Sequence, residues 1–149
     1  MSKIKVFCFG FGQVAKYFVK KIVKEKNPLE LNVSSRKETH QIKFEGLHLN
    51  SYEFNNKKID KDMNSKIQEA DFVLVSIPPV EDEDFVLKNF KEIIKKTKTK
   101  WITYLSATSV YGNHNGGWVT EESETKPTSD SGIKRLHAEN QWLKFSNEN

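Results

Sequence analysis

The chain has 149 residues, 36% of them hydrophobic and 30% charged, with a formal net charge of +4 at pH 7. That length suits one domain with its own core, at roughly 100–200 residues per domain, and the composition is polar for a compact α/β protein but well short of a disordered one. Of the 24 cationic side chains only Arg36 and Arg135 are arginine, and the lysines are spread among 20 acids instead of clustering with aromatics, which argues against a nucleic-acid reader; no basic-then-apolar leader and no apolar run near about 18 residues points to secretion or a membrane span.

The first element is the strand-like run Ile4–Phe9, I-K-V-F-C-F, closed by Gly10. Cys8 inside it is the single cysteine, so no intramolecular disulfide forms, and it reads as a small buried hydrophobe in a reducing, cytoplasmic setting. Gly10-Phe11-Gly12-Gln13-Val14-Ala15 then matches G-x-G-x-x-A at the opening of a helix. In a Rossmann unit the first glycine makes the tight turn, the second lets backbone approach a pyrophosphate, and the third small residue lets helix and strand pack closely. The first amides of the helix have no intrahelical partner and sit at the positive end of its dipole, so a phosphate is favoured there. The turn predicts a dinucleotide site, with Gly10, Phe11, Gly12, Gln13 and Val14 around the pyrophosphate.

Over Gln13–Lys26 the residues Val14, Phe18, Val19, Ile22 and Val23 recur at three and four, with Lys16, Lys20, Lys21 and Lys24 opposite, which predicts a helix laid on a sheet. Asn27-Pro28 ends it, because proline cannot continue the ladder and restricts its predecessor. Leu29–Ser35 reads as the second strand, and Ser34, Ser35, Arg36 and Lys37 leave it where a dinucleotide fold faces the adenosine ribose. An acid there binds the ribose hydroxyls of NAD, whereas hydroxyls and cations suit a 2′-phosphate. Ser35 and Arg36 therefore favour NADP over NAD; the alternative is that Arg36 and Lys37 are solvated loop charges.

Glu38–Asn56 carries a weaker signal: a short helix through Phe44, a break at Gly46, and an edge strand over Leu47–Phe54. Asn55–Glu69 reads as a polar loop leading into a marginal helix, with Ile59, Met63 and Ile67 at spacing four. Asp71–Ile77 is a continuous apolar run of the kind found in strands covered on both faces, so it pairs in parallel beside the first strand. Ile77 closes the run and Pro78-Pro79 follows, at the carboxyl end where ligands bind in open α/β sheets. The two prolines are either a wall against the nicotinamide ribose or pyrophosphate, or a plain strand-ending turn. Glu81–Lys98 predicts a helix with acids at 81 to 84, lysines at 95, 96 and 98, and a stripe of Val86, Phe90, Ile93 and Ile94, its charge order matching the helix dipole. Trp101–Ser106 is the next strand. Gly132–Phe145 is the last helix, with Ile133, Leu136 and Leu143 on one face and Trp142 beside it. The four histidines, His40, His48, His114 and His137, share no ligand spacing with one another or with Cys8, and no metal site is expected. The alternation predicts an open, doubly wound parallel sheet of strand order 3-2-1-4-5 with helices on both faces.

The segment Tyr104–Gly112, Y-L-S-A-T-S-V-Y-G, resembles the short-chain dehydrogenase/reductase superfamily, in particular its extended branch of NAD(P)-dependent epimerases and dehydratases. Gly116-Gly117-Trp118-Val119, Glu121-Glu122, Pro127 and Lys134-Arg135-x-x-Ala138-Glu139 are similar to its atypical members, the nucleotide-sugar epimerases among them. With Gly10–Ala15 and Ser76–Pro79 included, the resemblance spans nearly the whole chain. It implies a dinucleotide cofactor, NADP or alternatively NAD, held also by Ser106, and a nucleotide sugar or other small hydroxylated substrate. It also implies a tyrosine acting as acid/base, a lysine four residues later that lowers its pKa, and a serine or threonine that orients the substrate oxygen. Those slots fall on Ser131, Arg135 and Ala107, the last flanked by Ser106 and Thr108. All three are changed, so the catalytic candidates are Thr108, Ser131 and Arg135. A serine hydroxyl ionises far above the phenol value of about 10, and an arginine is no proton shuttle. Tyr111 is a spare phenol that reads as the structural tyrosine of the V-Y-G turn.

Extended members continue with a further strand and a substrate-binding domain, so the chain reads as a cofactor-binding domain over residues 1–149 without that second domain. It is then either a fragment or a remnant that pairs with a copy of itself or another subunit over the open edge of its fifth strand. A non-catalytic, cofactor-responsive module is the competing functional reading.

Overall fold

A computed structural model describes residues 3–80 and 82–148. In chain order the elements are β1 (Ile4–Phe9), α1 (Gln13–Lys24), β2 (Leu29–Ser35), β3 (His40–Phe44), β4 (Leu47–Glu53), α2 (Met63–Gln68), β5 (Phe72–Val75), α3 (Phe85–Ile94), β6 (Trp101–Tyr104), a 3₁₀ turn over Thr108–Val110, and α4 (Asp130–Glu148). They fall into two compact units, Met1–Ile77 with Phe90–Thr103, and Pro78–Asn89 with Tyr104–Asn149.

The first unit carries a six-stranded sheet of order β3-β4-β2-β1-β5-β6. β1 lies parallel between β2 and β5, with Cys8 opposite Val33 on one side and Leu74 on the other. Such a central strand is covered on both faces, which is why Val6, Phe7, Cys8 and Phe9 are all buried. Burial pushes the Cys8 thiol up to about 12, as expected of a structural cysteine. Right-handed crossovers require α1, which steps from β1 to β2, and α2, which steps the other way from β4 to β5, to cover opposite faces. Phe9 meets Phe54 at 5.7 Å and Phe90 at 5.4 Å, and those two rings lie 5.3 Å apart, so three edge-on or tilted contacts tie β1 to the end of β4 and to α3.

The doubly wound order of the five expected strands is present, with one strand added. Residues up to Phe44 form β3 instead of the expected short helix. β3 pairs antiparallel with β4, Ile42 opposite Leu49 and Phe44 opposite Leu47. The link is the two-residue loop Glu45-Gly46, with φ of 47° and 79°, the left-handed pair that matches the twist of a hairpin. Leu47–Glu53 is consequently an inner strand, paired with β2 on its other side, and the edge falls on β3. The middle strand and third helix are shorter than expected. β5 spans Phe72–Val75, and α3 begins at Phe85, after the acids at 82 to 84; Glu81 lies outside the described residues.

In the second unit α4 is longer than the periodicity suggests, and its buried face is Gly132, Ala138, Trp142 and Phe145. Ile133 and Leu143, expected on the packed face, are 53% and 57% exposed. The reason is a close approach at the first turn. A Cβ on Gly132 would stand 2.6 Å from the Ser109 carbonyl oxygen, so α4 is set down on the glycine side and its apolar neighbours point away. Among the described residues no helix is long and apolar enough to cross a membrane.

Candidate functional site

The glycine turn of the first unit is built as the sequence predicts, with supports that the motif does not specify. Gly10 has φ +88°, and a Cβ there would lie 2.7 Å from Ile77 Cγ2 and 3.0 Å from Ser76 Oγ, so a side chain is excluded by both conformation and space. The Gly10 amide donates to Ser34 Oγ at 3.1 Å, and the Ser76 hydroxyl donates to the Phe9 carbonyl at 3.0 Å. Two serines, Ser34 of β2 and Ser76 just past β5, thus fix the turn from below.

Gly12 is the N-cap of α1, with extended φ −81° and ψ −167°, and no side chain caps the helix. Its carbonyl accepts from the Lys16 amide at 3.0 Å. A Cβ on Gly12 would meet nothing within 4 Å. The glycine is therefore not required by packing, and it leaves open space in front of helix amides that a phosphate oxygen can occupy. Ala15, the third small position, is fully buried, while Val14 is exposed. A dinucleotide pyrophosphate fits this arrangement.

At the end of β2, the Ser35 hydroxyl receives a hydrogen bond from Ser51 Oγ at 3.0 Å and another from the Lys37 amide at 3.3 Å. Arg36 is exposed, and its carbonyl accepts from Asn55 Nδ2 at 3.1 Å. Sequence reasoning missed two residues here. The register sets Glu53 of β4 beside Ser35, and Asn55 Nδ2 also donates to Glu53 Oε1 at 2.9 Å. That bond and Lys58 Nζ, 3.1 Å from Oε2, hold the Glu53 carboxyl below the usual range. An acid is therefore present at this corner, supplied by the neighbouring strand and already matched by a lysine. The signal was the acid one residue before the end of the third expected strand.

The second unit holds Thr108, Ser131 and Arg135, the expected catalytic candidates. Arg135 Nη1 donates to the Leu105 carbonyl at 2.9 Å and lies 3.5 Å from Tyr104 Oη, with the guanidinium over the Tyr104 ring at 5.9 Å. One turn further along α4, Glu139 Oε2 accepts from the Ser106 hydroxyl at 2.9 Å. Ser131 is exposed, with Ser129 Oγ at 3.3 Å. Thr108 opens the 3₁₀ turn and is exposed. Burial raises the Tyr104 phenol above its ordinary value, and the positive charge of Arg135 only partly offsets this. The Tyr111 amide donates to the Thr108 carbonyl at 3.1 Å, and the Tyr111 carbonyl accepts from the Lys126 amide at 3.2 Å. Pro78 is exposed and Pro79 half-buried.

Beside these slots Asp84 is 2% exposed and caps α3, its Oδ1 accepting from the Val86 and Leu87 amides at 3.0 Å each. Gln141 Oε1 accepts from the Asp84 amide at 2.8 Å. The Trp142 indole nitrogen is close enough to favour the carboxylate but closes no hydrogen bond of ordinary geometry. Burial dominates and raises the Asp84 pKa, with its amide bonds, Trp142 and Arg135 opposing. A raised acid stabilises the fold fully below its unfolded value of about 3.9 and loses that contribution as pH rises through the folded value. Asp84→Asn keeps an acceptor for the cap and removes the charge. Its urea midpoint should equal or exceed that of the parent at pH 7, with the advantage shrinking toward pH 3, whereas Asp84→Ala should lose about 1 kcal/mol. Equal losses for both variants at neutral pH would refute this account.

No protein-family model and no curated protein matches the sequence. Its fold matches solved structures over nearly all of its length. A UDP-N-acetylglucosamine 4-epimerase from Methanobrevibacter ruminantium, in complex with UDP-N-acetylmuramic acid, superposes with a TM-score of 0.74 at 15% identity, over 99% of this chain and 52% of that one. A UDP-glucuronic acid 4-epimerase from Bacillus cereus, in complex with UDP-glucuronic acid and NAD, gives 0.71 at 15% identity over 96% and 52%. A functionally unknown conserved protein from Silicibacter pomeroyi gives 0.71 at 24% identity over 96% and 50%. The fold is thus Rossmann-type, and the chain spans about half the length of the solved chains it matches.

Proposed function

We propose that this chain binds a nicotinamide dinucleotide at Gly10, Phe11, Gly12, Gln13 and Val14, with NADP(H) preferred over NAD(H) through Ser35 and Arg36. It would serve as the dinucleotide-binding part of a protein that acts on a nucleotide sugar or a similar small hydroxylated substrate, as the extended short-chain dehydrogenases do. The observation that carries this reading is the pairing at the turn of a wedged Gly10 with an open, uncapped Gly12. The likeness to epimerase structures, one of them holding NAD, supports it. When bound, the dinucleotide supplies hydride transfer. The chain's own part is to seat the pyrophosphate on the α1 amides, with Ile77 closing the underside of the turn.

Titration with NADPH and NADH, read by cofactor fluorescence, tests the proposal. Saturable binding with NADPH the tighter ligand is expected, and Arg36→Ala should weaken NADPH by about tenfold, the loss of one charge-assisted contact, while sparing NADH. Absence of saturable binding by folded protein would sink the reading. Equal affinities would remove the NADP preference alone.

One observation favours a non-catalytic module. Arg135, at the slot of the family's lysine, commits its guanidinium to the Leu105 carbonyl and Tyr104, and Ser131, at the slot of the tyrosine, is exposed with the Ser129 hydroxyl at 3.3 Å. A hydride-transfer assay over a panel of nucleotide sugars separates the two readings: turnover supports the enzyme, and cofactor binding without turnover supports the module.

A further inference from the structure

The hairpin β3–β4 reaches the glycine turn. Phe44, the last residue of β3, meets Phe11 edge-on, with ring centroids 5.2 Å apart and planes at 84°. Next to it Glu45 Oε1 lies 3.5 Å from Lys20 Nζ, one turn along α1 from Lys16. Lys16 Nζ in turn stands 5.7 Å from the Phe11 ring. The segment Gly10-Phe11-Gly12 needs such a restraint. Two glycines flank one side chain, so its backbone has more freedom to lose than any other stretch of β1 or α1. Ser34 holds its first amide. Beyond that point the Phe11 side chain is the handle by which the rest of the turn can be fixed, and Phe44 is what grips it.

We infer that the β3–β4 hairpin is a brace for the phosphate turn, and that Phe44, through Phe11, is a positioning residue which keeps the turn in the conformation that presents the α1 amides. The brace concerns the turn itself; its consequence for ligand affinity rests on the dinucleotide reading above. The hairpin then has a function as well as a place in the sheet. It stands where the chain was expected to form a helix, and its tip brings one aromatic to Phe11, ahead of α1, and one carboxylate to Lys20 of α1.

Amide hydrogen exchange on the parent chain, Phe44→Ala, Phe44→Tyr and Glu45→Gln tests the brace without any ligand. Phe44→Ala should speed exchange at the Gly10 and Lys16 amides by at least about tenfold relative to the Val73–Val75 amides of β5, which report global opening. Phe44→Tyr should restore protection, and Glu45→Gln should give a smaller loss. Should Phe44→Ala fold poorly, Phe44→Leu keeps apolar bulk without the edge-on ring and should show a local loss of the same sign. Unchanged protection at Gly10 and Lys16, or equal acceleration throughout the sheet, overturns the brace. In the same variants the NADPH dissociation constant should rise about tenfold with Phe44→Ala and recover with Phe44→Tyr. Loosened exchange in a protein whose parent form binds neither dinucleotide leaves the brace standing and refutes the dinucleotide reading instead. Loosened exchange with unchanged affinity overturns the positioning role.

Discussion

Gly112→Ala should lower the thermal midpoint by about 10 °C. Gly112 has φ +68°, and a Cβ there would stand 1.8 Å from the Lys126 carbonyl oxygen and 2.7 Å from its carbon. A left-handed alanine costs about 1–2 kcal/mol, and displacing the opposing backbone segment adds about 1–3 kcal/mol. The clash is with main chain, so no rotamer relieves it. The V-Y-G turn is closed on this segment by the Lys126 amide bonding to the Tyr111 carbonyl, and that bond has to break for the two segments to part. Differential scanning calorimetry of the parent and variant checks the expectation. Gly46→Ala is the control, since its φ is +79° but a Cβ there meets nothing within 4 Å; it should lose only the conformational part. If the two variants melt together, the close approach at Gly112 is not what holds the turn.

Much of this architecture is legible in the residues because each local choice agrees with the global one. Val73–Val75 and Val6–Phe9 are apolar at every position, which only a doubly covered strand tolerates, and both are central strands. The hairpin was not legible for a physical reason. Ile42 and Phe44, then Leu47 and Leu49, do alternate, but the loop between them is Glu-Gly, and a glutamate at positive φ is not a residue type that announces such a turn. The packed face of α4 was misread for a related reason. Periodicity ranks Ile133 and Leu143 above a glycine, yet the approach to Ser109 is set by the residue with no side chain. At the candidate site the glycine spacing carried the turn, whereas Ser34, Ser76, Asn55 and Phe44 act through pairings distant in sequence that no spacing rule reaches.

Gly12→Ser should separate stability from binding by moving them in opposite directions. At the N-cap of α1 the backbone is already extended, as a serine cap requires, and its Cβ has free space. The new hydroxyl can accept from the second or third helix amide, so the variant should be more stable than the parent by a few tenths of a kcal/mol, about the margin between serine and glycine caps. The same atom then stands in the space a phosphate must enter and occupies an amide the phosphate needs. NADPH affinity should fall at least about tenfold, about 1.4 kcal/mol. Chemical denaturation and fluorescence titration on one preparation read both quantities. A stabilised variant that binds as the parent does would show that the ligand, if any, does not sit on the α1 amides. A variant that loses both would show that Gly12 is needed for packing after all, which the empty surroundings of its Cβ position argue against. Only the opposed pair of changes assigns the glycine to a ligand instead of to the fold, because packing and phosphate binding make opposite demands at this atom.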